Sequence, residues 1–314
     1  LIAIPCLNEE KTLASVISGI PKSIPGVAAM RVLVVDDGSK DRTVAVARSS
    51  GAEVISHPTN LGVGAALHSA IGYALDHDFD ILVNIDADNQ FNPADIPKLV
   101  APLIAGQAEM TTASRFIDPS LTPQNMSPVK KWGNRKMSWL ISKLCNQKFY
   151  DVSCGFRAYS RQALLNLNIH GRFTYTQETF VDMVSKKIRI LEVPVHVRYF
   201  EDRESRVAGN LWKYALKTFT IIVKIYRDYF PMRFFGGIAL IFLFLSFLFG
   251  AAFTAHFLLV GKFSGFLFAG FLSGFFMTMA VLFLILALAL DMLDRIRMNQ
   301  ERILYRLKRQ SSRQ

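Results

Sequence analysis

Two carboxylates and a carboxamide alternate with other residues in the segment Asp86-Ala87-Asp88-Asn89-Gln90. The segment directly follows Asp80-Ile81-Leu82-Val83-Asn84-Ile85, a short and mostly apolar run that is typical of a buried strand. In open α/β sheets, ligands bind in the crevice beyond the carboxyl ends of the strands. Oxygen ligands of this kind suit Mg²⁺ or Mn²⁺, and a metal held by one or two carboxylates usually also binds substrate phosphates. Capping of a following helix is the alternative role for an aspartate in such a loop.

Two further polar loops follow strand-like segments. Pro5, Asn8 and Glu9 end the first segment, and Asp36-Asp37-Gly38-Ser39 ends the second. Carboxylates there can accept hydrogen bonds from a base or a ribose, although Asp-Gly is also a common turn pair. The chain has no Gly-x-Gly-x-x-Gly after the first strand and no Gly-Lys-Ser or Gly-Lys-Thr, which argues against a dinucleotide Rossmann site and a P-loop. We interpret Asn60-Leu61-Gly62-Val63-Gly64 as a closely packed helix start beside the nucleotide.

The elements that must position these loops alternate between strand and helix over residues 1–200. Strand-like runs at 1–5, 31–35, 53–56, 80–86 and 109–114 are separated by helix-like segments. Such alternation predicts an α/β fold with a mainly parallel, twisted sheet and helices on both faces. Because the three polar loops lie at one edge of such a sheet, they predict a single pocket.

Two long runs near the end of the chain are apolar. Residues 234–260 contain no Asp, Glu, Lys or Arg, and residues 263–290 contain none of these and no His. Each run is long enough to span a bilayer as a helix, whereas a buried helix of a soluble protein normally has a polar stripe. The short link Gly261-Lys262 predicts an antiparallel transmembrane hairpin. Gly270-x-x-x-Gly274 could pack helices either within this hairpin or between the copies of a homo-oligomer.

The net charge of +11 is concentrated on both sides of the two apolar runs. The flanking cations are Lys213, Lys217, Lys224, Arg227 and Arg233 before them, and Arg295, Arg297, Arg302, Arg306, Lys308 and Arg309 after them. The positive-inside rule therefore places the large N-terminal part and the tail in the cytoplasm of an integral membrane protein. A nucleic-acid partner is disfavoured, because basic charge beside membrane spans is attracted to anionic lipid.

Residues 211–231 have the pattern of an amphipathic helix. Lys213, Lys217, Lys224 and Arg227 form a basic stripe, and the remaining side is apolar and aromatic. We expect this helix to lie in the membrane interface, and packing on the soluble domain is the alternative. The three cysteines lack metal-ligand spacing and are expected to be reduced thiols. The chain opens at Leu1 inside the first strand, so we expect a short N-terminal segment to precede it.

The order of the motifs resembles that of family 2 glycosyltransferases of GT-A fold. The motifs are Leu7-Asn8-Glu9-Glu10, Val35-Asp36-Asp37-Gly38-Ser39, Asn60-Leu61-Gly62, Asp86-Ala87-Asp88, Ala113-Ser114-Arg115-Phe116 and Ser153-Cys154-Gly155-Phe156-Arg157. More narrowly, the chain resembles the polyprenyl-phosphate glycosyltransferases, the group that contains dolichol-phosphate mannose synthases. Processive members of family 2 carry Gln-x-x-Arg-Trp after the catalytic domain, and the matching segment 201–207 does not fit, which argues against a polymerising enzyme.

The resemblance implies a donor that is a nucleotide-diphosphate-sugar, a UDP- or GDP-linked hexose, and an acceptor that is a dolichyl or undecaprenyl phosphate. It implies that Asp86, Asp88 and Gln90 hold Mg²⁺ or Mn²⁺ on the pyrophosphate. The positions implied to bind the nucleotide-sugar are Pro5, Asn8, Glu9, Asp36, Asp37, Gly62, Asp86 and Arg115. The acceptor phosphate is expected at Arg203, Ser205 and Arg206. Since the guanidinium fork suits phosphate, Arg115, Arg203 and Arg206 are each candidates to bind either the acceptor phosphate or the departing β-phosphate.

Asp88, Asp151, Glu178 and Arg203 form the expected catalytic set. Inverting enzymes of this fold usually place a carboxylate base at a helix start under the acceptor, and Glu178 or Asp151 matches that position. A phosphate monoester with a second pKa near ~6 is already mostly the dianion at neutral pH, so little base assistance is required. We therefore expect both carboxylates to position substrates more than to take a proton.

The sequence thus predicts an inverting transferase that moves one sugar to a polyprenyl phosphate at the cytoplasmic membrane face. Its expected parts are a catalytic domain at 1–210, a juxtamembrane helix at 211–231, a hairpin at 232–292 with spans at about 234–260 and 263–290, and a basic tail at 293–314. One alternative is transfer to another membrane lipid or lipid-linked glycan, which would require a true base. The other is a non-catalytic scaffold that binds nucleotide-sugar, although the intact Asp-x-Asp disfavours it.

Overall fold

The computed structural model describes residues 1–123, 125–168, 175–198, 220, 223–224 and 226–311. The chain divides into two compact units, one formed by Leu1–Gly209 with Ile303–Gln314 and the other by Asn210–Arg302. The segment expected to bind the acceptor phosphate, with Arg203, Ser205 and Arg206, lies outside the described residues. So does most of the expected juxtamembrane helix, of which residues 226–229 are helical.

The first unit alternates strands and helices as the sequence pattern predicted. Its elements are β1 (Ile2–Cys6), α1 (Leu13–Ser18), β2 (Val32–Asp36), α2 (Thr43–Ser49), β3 (Glu53–Ser56), α3 (Val63–Asp76), β4 (Ile81–Asn84), α4 (Ile96–Ile104), β5 (Met110–Ser114), α5 (Pro128–Cys145), β6 (Arg157–Ser160), α6 (Arg161–Asn166), α7 (Tyr175–Ser185) and β7 (Ile190–Pro194). Short 3-10 turns at Pro93–Asp95 and Pro119–Leu121 precede α4 and α5.

The strands form one seven-stranded sheet in the order β3-β2-β1-β4-β6-β5-β7. Strand β6 runs antiparallel to β4 and β5, and the remaining pairs are parallel. This confirms the mainly parallel α/β sheet. Strand β6 was not among the strand-like runs of the sequence because it has only four residues and is polar at both ends, at Arg157 and Ser160.

Helices cover the sheet on both faces. Ile2 and Ile4 of β1 belong to a buried core that also contains Leu13 of α1 and Leu99 of α4. Helix α3 packs against β1 and β2 from the other face. Since successive strand residues point to opposite faces, the continuous apolar runs of β1 and β2 are those of strands that are buried on both sides.

The second unit contains two long apolar helices, α8 (Pro231–Val260) and the greater part of α9 (Leu267–Ser311). Both have the length and composition to cross a membrane, and only 11% of each apolar window is buried. Phe247, Leu259 and Phe271 expose 74%, 87% and 77% of their surface. A core helix of a soluble protein would bury such side chains, so the exposed apolar surface suits a lipid environment.

The bounds of the hairpin differ from the expected ones at its tip and at its end. Residues 261–266 link the helices, because Gly261 and Gly265 adopt positive φ values of 70° and 95° that end α8 and delay the next helix. Helix α9 then continues beyond 290 through most of the basic tail. Ion pairs one turn apart support this part, with Arg295 Nη2 3.0 Å from Asp291 Oδ2.

The two apolar helices contact each other through small residues. Ser246 Oγ donates to Ser273 O and Ser273 Oγ donates to Ser246 O, both at 2.9 Å. A Cβ added at Gly250 would lie 3.0 Å from Ser273 Oγ, and one at Gly270 would lie 3.4 Å from the ring of Phe253. Gly270 of the Gly-x-x-x-Gly motif therefore packs within the hairpin.

Candidate active site

The loops after β1 and β2 are joined by hydrogen bonds at the carboxyl edge of the sheet. The parallel register places Cys6 opposite Asp36. Asn8, in the left-handed region at φ 55°, donates its backbone N–H to Ser39 Oγ at 2.8 Å, and its Oδ1 accepts from Lys40 N at 2.8 Å. The structure thus brings together two of the three loops that were expected to form one pocket. Pro5 itself lies within β1 and not in the loop.

Asp37 is buried, and its carboxylate is occupied by three donors. Oδ1 lies 2.8 Å from His57 Nδ1 and accepts from Leu61 N at 2.9 Å, while Oδ2 accepts from Gly62 N at 2.8 Å. Gly62 has a φ of 96°, which a residue with a side chain rarely adopts. These contacts hold the start of α3, and Asp37 exposes little surface. Its direct contact with a nucleotide stays a prediction.

His57 connects this carboxylate to α3. Its second ring nitrogen, Nε2, lies 2.9 Å from Ser69 Oγ. An ionised carboxylate only accepts hydrogen bonds, so the proton between His57 and Asp37 belongs to Nδ1. In the neutral imidazole, Nε2 then accepts from the serine hydroxyl. The chain Asp37–His57–Ser69 fixes the loop of Leu61 and Gly62.

Asp36 is also buried, and its Oδ1 accepts from Ser39 N at 3.0 Å. The adjacent Gly38 approaches the loop before α3 so closely that an added Cβ would lie 2.9 Å from the carbonyl carbon of Thr59. A side chain at Gly38 would therefore push the two loops apart. Their close contact defines the wall of the pocket that was expected to hold the nucleoside.

The Asp-x-Asp loop begins two residues after β4 ends at Asn84. Asp88 Oδ1 accepts from Gln90 N at 3.1 Å, and Asn89 has a positive φ of 63°. The segment after β7 holds the loop, because Gln90 O accepts from Arg198 N at 2.9 Å. Burial raises the pKa of Asp86 to about 7, and the charge of Asp88 adds to the increase.

This carboxylate pair has the chemistry of a divalent cation site. A bound cation would favour the ionised form of Asp86, which burial and its neighbour Asp88 otherwise disfavour. Among the described residues, no three His, Cys, Asp or Glu side chains form a complete metal cage. Mg²⁺ and Mn²⁺ sites of this class need only one or two carboxylates, because substrate phosphates complete the coordination. Asp86, Asp88 and the Gln90 carboxamide fit such an ion.

The loop before β6 covers Asp86. A Cβ added at Gly155 would lie 2.9 Å from Asp86 Oδ2 and 3.1 Å from Oδ1. Asn84 Nδ2 donates to Gly155 O at 2.9 Å, which fixes this backbone over the carboxylate. Only a glycine at position 155 allows the close approach.

Arg115, which follows β5, forms a buried ion pair with Asp151. Nε and Nη2 of Arg115 lie 2.6 Å from Asp151 Oδ2 and 2.8 Å from Oδ1, and Nη2 also donates to Ser153 Oγ at 2.7 Å. Burial alone would raise the pKa of Asp151, but the charge and hydrogen bonds of Arg115 outweigh it and hold this pKa below its usual value. Asp151 is completely buried, and in the structure it orients Arg115. Its expected part in the catalytic set stays a prediction.

Arg157 lies beneath these groups and was not assigned a role from the sequence. It is completely buried, and it donates from Nε to Cys154 O at 2.8 Å and from Nη2 to Thr176 O at 2.9 Å. Its guanidinium carbon lies 5.0 Å from the centre of the Phe180 ring. The charge of Arg157 opposes the increase in the pKa of Asp86. Arg157 thus supplies a positive charge under the carboxylate loop and holds the first turn of α7.

Glu178 lies in that first turn of α7 and is half-buried. Glu9 is close enough to Asp86 for its charge to raise the pKa of that group. The structure therefore gathers Glu9, Asp36, Asp86, Asp88 and Arg115 at the carboxyl edge of the sheet.

A family model described as "Glycosyl transferase family 2" matches residues 1–167. The chain belongs to glycosyl transferase family 2. Among its relatives, the UDP-N-acetylglucosamine–dolichyl-phosphate N-acetylglucosaminyltransferase of Methanococcus voltae is 30% identical over 64% of this chain and 86% of the relative. The polyprenol monophosphomannose synthase of Mycolicibacterium smegmatis is 27% identical over 67% of this chain and 81% of the relative.

A solved structure of glucosyl-3-phosphoglycerate synthase from Mycobacterium tuberculosis, in complex with Mn²⁺ and UDP-glucose, has a similar fold. Its TM-score is 0.54, its identity is 25%, and the match covers 72% of this chain and 77% of that one. These likenesses confirm the resemblance to family 2 and the GT-A fold that the motif order indicated.

Besides the role of Arg157, two further features of this family 2 glycosyltransferase were missed from the sequence. The Arg115–Asp151–Ser153 cluster joins the end of β5 to the segment before β6, and nothing in the linear spacing connects them. The role of His57 was also missed, although its position one residue after β3 placed it at the carboxyl edge where the other polar loops lie.

Proposed function

We propose that this glycosyltransferase moves one sugar from a nucleotide-diphosphate-sugar to a polyprenyl phosphate, with inversion at the anomeric carbon. The observation that carries the proposal is the proximity of the Asp86–Asp88 loop to the buried Arg115–Asp151 pair. The charge of Arg115 acts on the pKa of Asp86, which supports a single pocket for the expected pyrophosphate site and this fixed guanidinium.

The donor side of the proposal rests on the joined loops after β1, β2 and β3. Asn8, Glu9 and Asp36 would contact the nucleoside, while Asp37, His57 and Gly62 would keep the wall of its pocket in place. The relative named for transfer from UDP-N-acetylglucosamine to dolichyl phosphate, and the Mn²⁺–UDP-glucose complex of the structural neighbour, support a UDP-linked sugar, and a GDP-linked hexose is the alternative donor.

Asp86, Asp88 and Gln90 would hold Mg²⁺ or Mn²⁺. As a Lewis acid on the pyrophosphate, the ion would neutralise the charge that develops on the departing nucleoside diphosphate. Asp86 must be ionised to serve as a ligand. The positive charge of the buried Arg157 favours the ionised form. Gly155 leaves the carboxylate its required space.

The acceptor side of the proposal rests on Arg115. Asp151 and Ser153 accept from Nε and Nη2 of its guanidinium and hold it in a single orientation, so that its delocalised charge would act on a phosphate from a fixed position. An oxygen of the acceptor phosphate would attack the anomeric carbon as the bond from that carbon to the β-phosphate oxygen breaks. The acceptor is already ionised near neutral pH, so no residue has to remove a proton. We expect Glu178 to position the sugar or the acceptor, and Arg203, Ser205 and Arg206 to add contacts to the acceptor phosphate.

We also propose that α8 and the apolar part of α9 cross the cell membrane as a hairpin. The basic residues on both flanks of these helices favour a cytoplasmic location for the catalytic unit and both chain ends. A polyprenyl acceptor is confined to the same membrane, so an anchored enzyme meets it without a soluble carrier.

The test is transfer by the purified full chain, reconstituted with Mn²⁺ or Mg²⁺, a polyprenyl phosphate and a panel of UDP- and GDP-sugars. We expect one donor to give a sugar–phosphate–polyprenol, detected by mass spectrometry, and Asp88→Ala to abolish it while leaving the circular dichroism spectrum unchanged. The absence of product with every donor would overturn the proposal. Transfer to a lipid hydroxyl instead, with a rate loss at acidic pH that Glu178→Gln removes, would assign the alternative acceptor.

A further inference from the structure

The outer surface of α5 carries the largest apolar side chains of that helix. Trp132 and Trp139 expose 64% and 60% of their surface, and Val129 exposes 45%. The buried side of the helix contains Asn134, Met137, Ser138 and Ile141. A helix on the surface of a soluble domain normally buries its largest apolar residues. In α5 the two tryptophans are instead on the exposed side of the helix.

These tryptophans alternate with lysines along one stripe. Val129, Trp132, Lys136, Trp139 and Lys143 recur every three or four residues and so lie on one side of the helix, here called the tryptophan face. Lys136 Nζ lies 6.0 Å from the centre of the Trp132 ring, and Lys143 Nζ lies 5.5 Å from that of Trp139. Each lysine ammonium group therefore lies over the face of an aromatic ring.

The charge of α5 is of one sign. The helix contains Lys130, Lys131, Arg135, Lys136 and Lys143 and no Asp or Glu. Within the part of the chain that the structure describes, none of these cations forms an ion pair with a carboxylate. The tryptophan face is thus both apolar and positively charged.

We infer that the tryptophan face of α5 docks on the anionic headgroup surface of a lipid bilayer. Tryptophan is enriched at the boundary between water and membrane, where its ring sits at headgroup level. Lysine stems can extend from such a position to lipid phosphates, and an anionic leaflet attracts clustered cations. The positive charge of the tryptophan face complements the negative charge of that surface. Its tryptophans suit the headgroup level of the membrane and not the hydrocarbon core.

The buried side of α5 connects this surface to the candidate acceptor site. Asn134 Oδ1 accepts from Ser153 Oγ at 3.0 Å, and Ser153 Oγ accepts from Arg115 Nη2 at 2.7 Å. An α-helix with its side chains is roughly 10–12 Å across. Docking of the tryptophan face would therefore hold Arg115 about one helix diameter from the headgroup surface.

Tryptophan fluorescence of the full chain in proteoliposomes tests the inference. The chain has three tryptophans, so Trp212→Phe leaves only Trp132 and Trp139 as reporters. In anionic vesicles we expect blue-shifted emission and strong quenching by lipids that carry a nitroxide near the headgroup, with weak quenching by aqueous iodide. Quenching by iodide alone would overturn the inference. Protection from both quenchers would also overturn it, because it would assign the face to a protein contact.

A charge-reversal pair supplies the matched control. Lys136→Glu with Lys143→Glu, in the Trp212→Phe background, should remove most of the lipid quenching. Lys22→Glu with Arg48→Glu changes the net charge equally at exposed positions outside α5 and should leave the quenching unchanged. Equal effects of both pairs would contradict a specific role for the tryptophan face. Because quenching reports position and not turnover, the result stands whether or not the proposed sugar transfer is observed.

Discussion

Gly155 lies against Asp86 so closely that a single added Cβ would stand 2.9 Å from the carboxylate oxygen Oδ2. The contact joins the segment before β6 to the loop after β4, which are 69 residues apart in the chain. The space above a metal-binding carboxylate is therefore set by a residue that need not touch the ion.

Gly155→Ala should displace the Asp86 carboxylate and lower the transfer rate by about 100-fold, because small misplacements of a reacting group have effects of that order. Mn²⁺ affinity measured by calorimetry in the presence of nucleotide should fall in parallel. Gly72→Ala is the matched control, since a Cβ there meets no atom within 4 Å. Unchanged metal affinity in Gly155→Ala would contradict the proposed position of the ion.

The pKa of about 7 for Asp86 predicts a pH-dependent response to metal. Without metal, the folded protein holds a proton that the unfolded chain releases near the ordinary value of 3.8, so this group lowers the free energy of unfolding as pH rises from 3.8 to about 7. Metal binds the ionised form, so its stabilising effect should grow as pH rises through that range. The measurement is the increase in Tm caused by Mn²⁺ at about pH 6 and about pH 8. Asp86→Asn, which cannot titrate, should lose the difference, and a larger metal effect at the lower pH would refute the assignment.

Asp151→Asn should destabilise the fold, because it leaves the buried Arg115 without its charge partner. Removal of one member of a buried ion pair costs about 3–5 kcal/mol, measurable as the free energy of unfolding in denaturant. Replacing both residues, with Arg115→Met and Asp151→Leu, should recover much of that loss but not transfer activity. Recovery of activity in the double variant would show that the pair is only structural.

His57→Ala should weaken donor binding by loosening the loop of Leu61 and Gly62. We expect the KM for the nucleotide-sugar to rise by about tenfold, or 1.4 kcal/mol, with a smaller change in kcat. His57→Gln retains a donor for Asp37 and should preserve part of the affinity. His77→Ala removes an exposed histidine that stacks on Tyr73, and serves as the control. An effect confined to kcat would contradict a role in positioning the nucleotide pocket.

Ordered motifs and hydropathy determined much of this protein from sequence alone. Strand-like runs fixed the parallel core of the sheet, because burial on both faces requires continuous apolar residues. The Asp86-Ala87-Asp88 segment indicated the carboxylate loop, and charge-free runs indicated the two apolar helices. Each of these features depends on residues that are close together in the chain, so the sequence pattern alone is enough to predict it.

Only the tertiary structure decided the separate roles of similar residues. Asp36 and Asp37 are neighbours in sequence, yet Asp37 is taken up by His57 and the start of α3. Asp151 has the residue type of a base, but in the structure it is buried beside Arg115, whose charge keeps its pKa low. The exposure of Trp132 likewise depends on which side of α5 meets the sheet domain. Each outcome depends on contacts between segments distant in the chain, and such contacts set the charge, burial and space that residue type and spacing leave open.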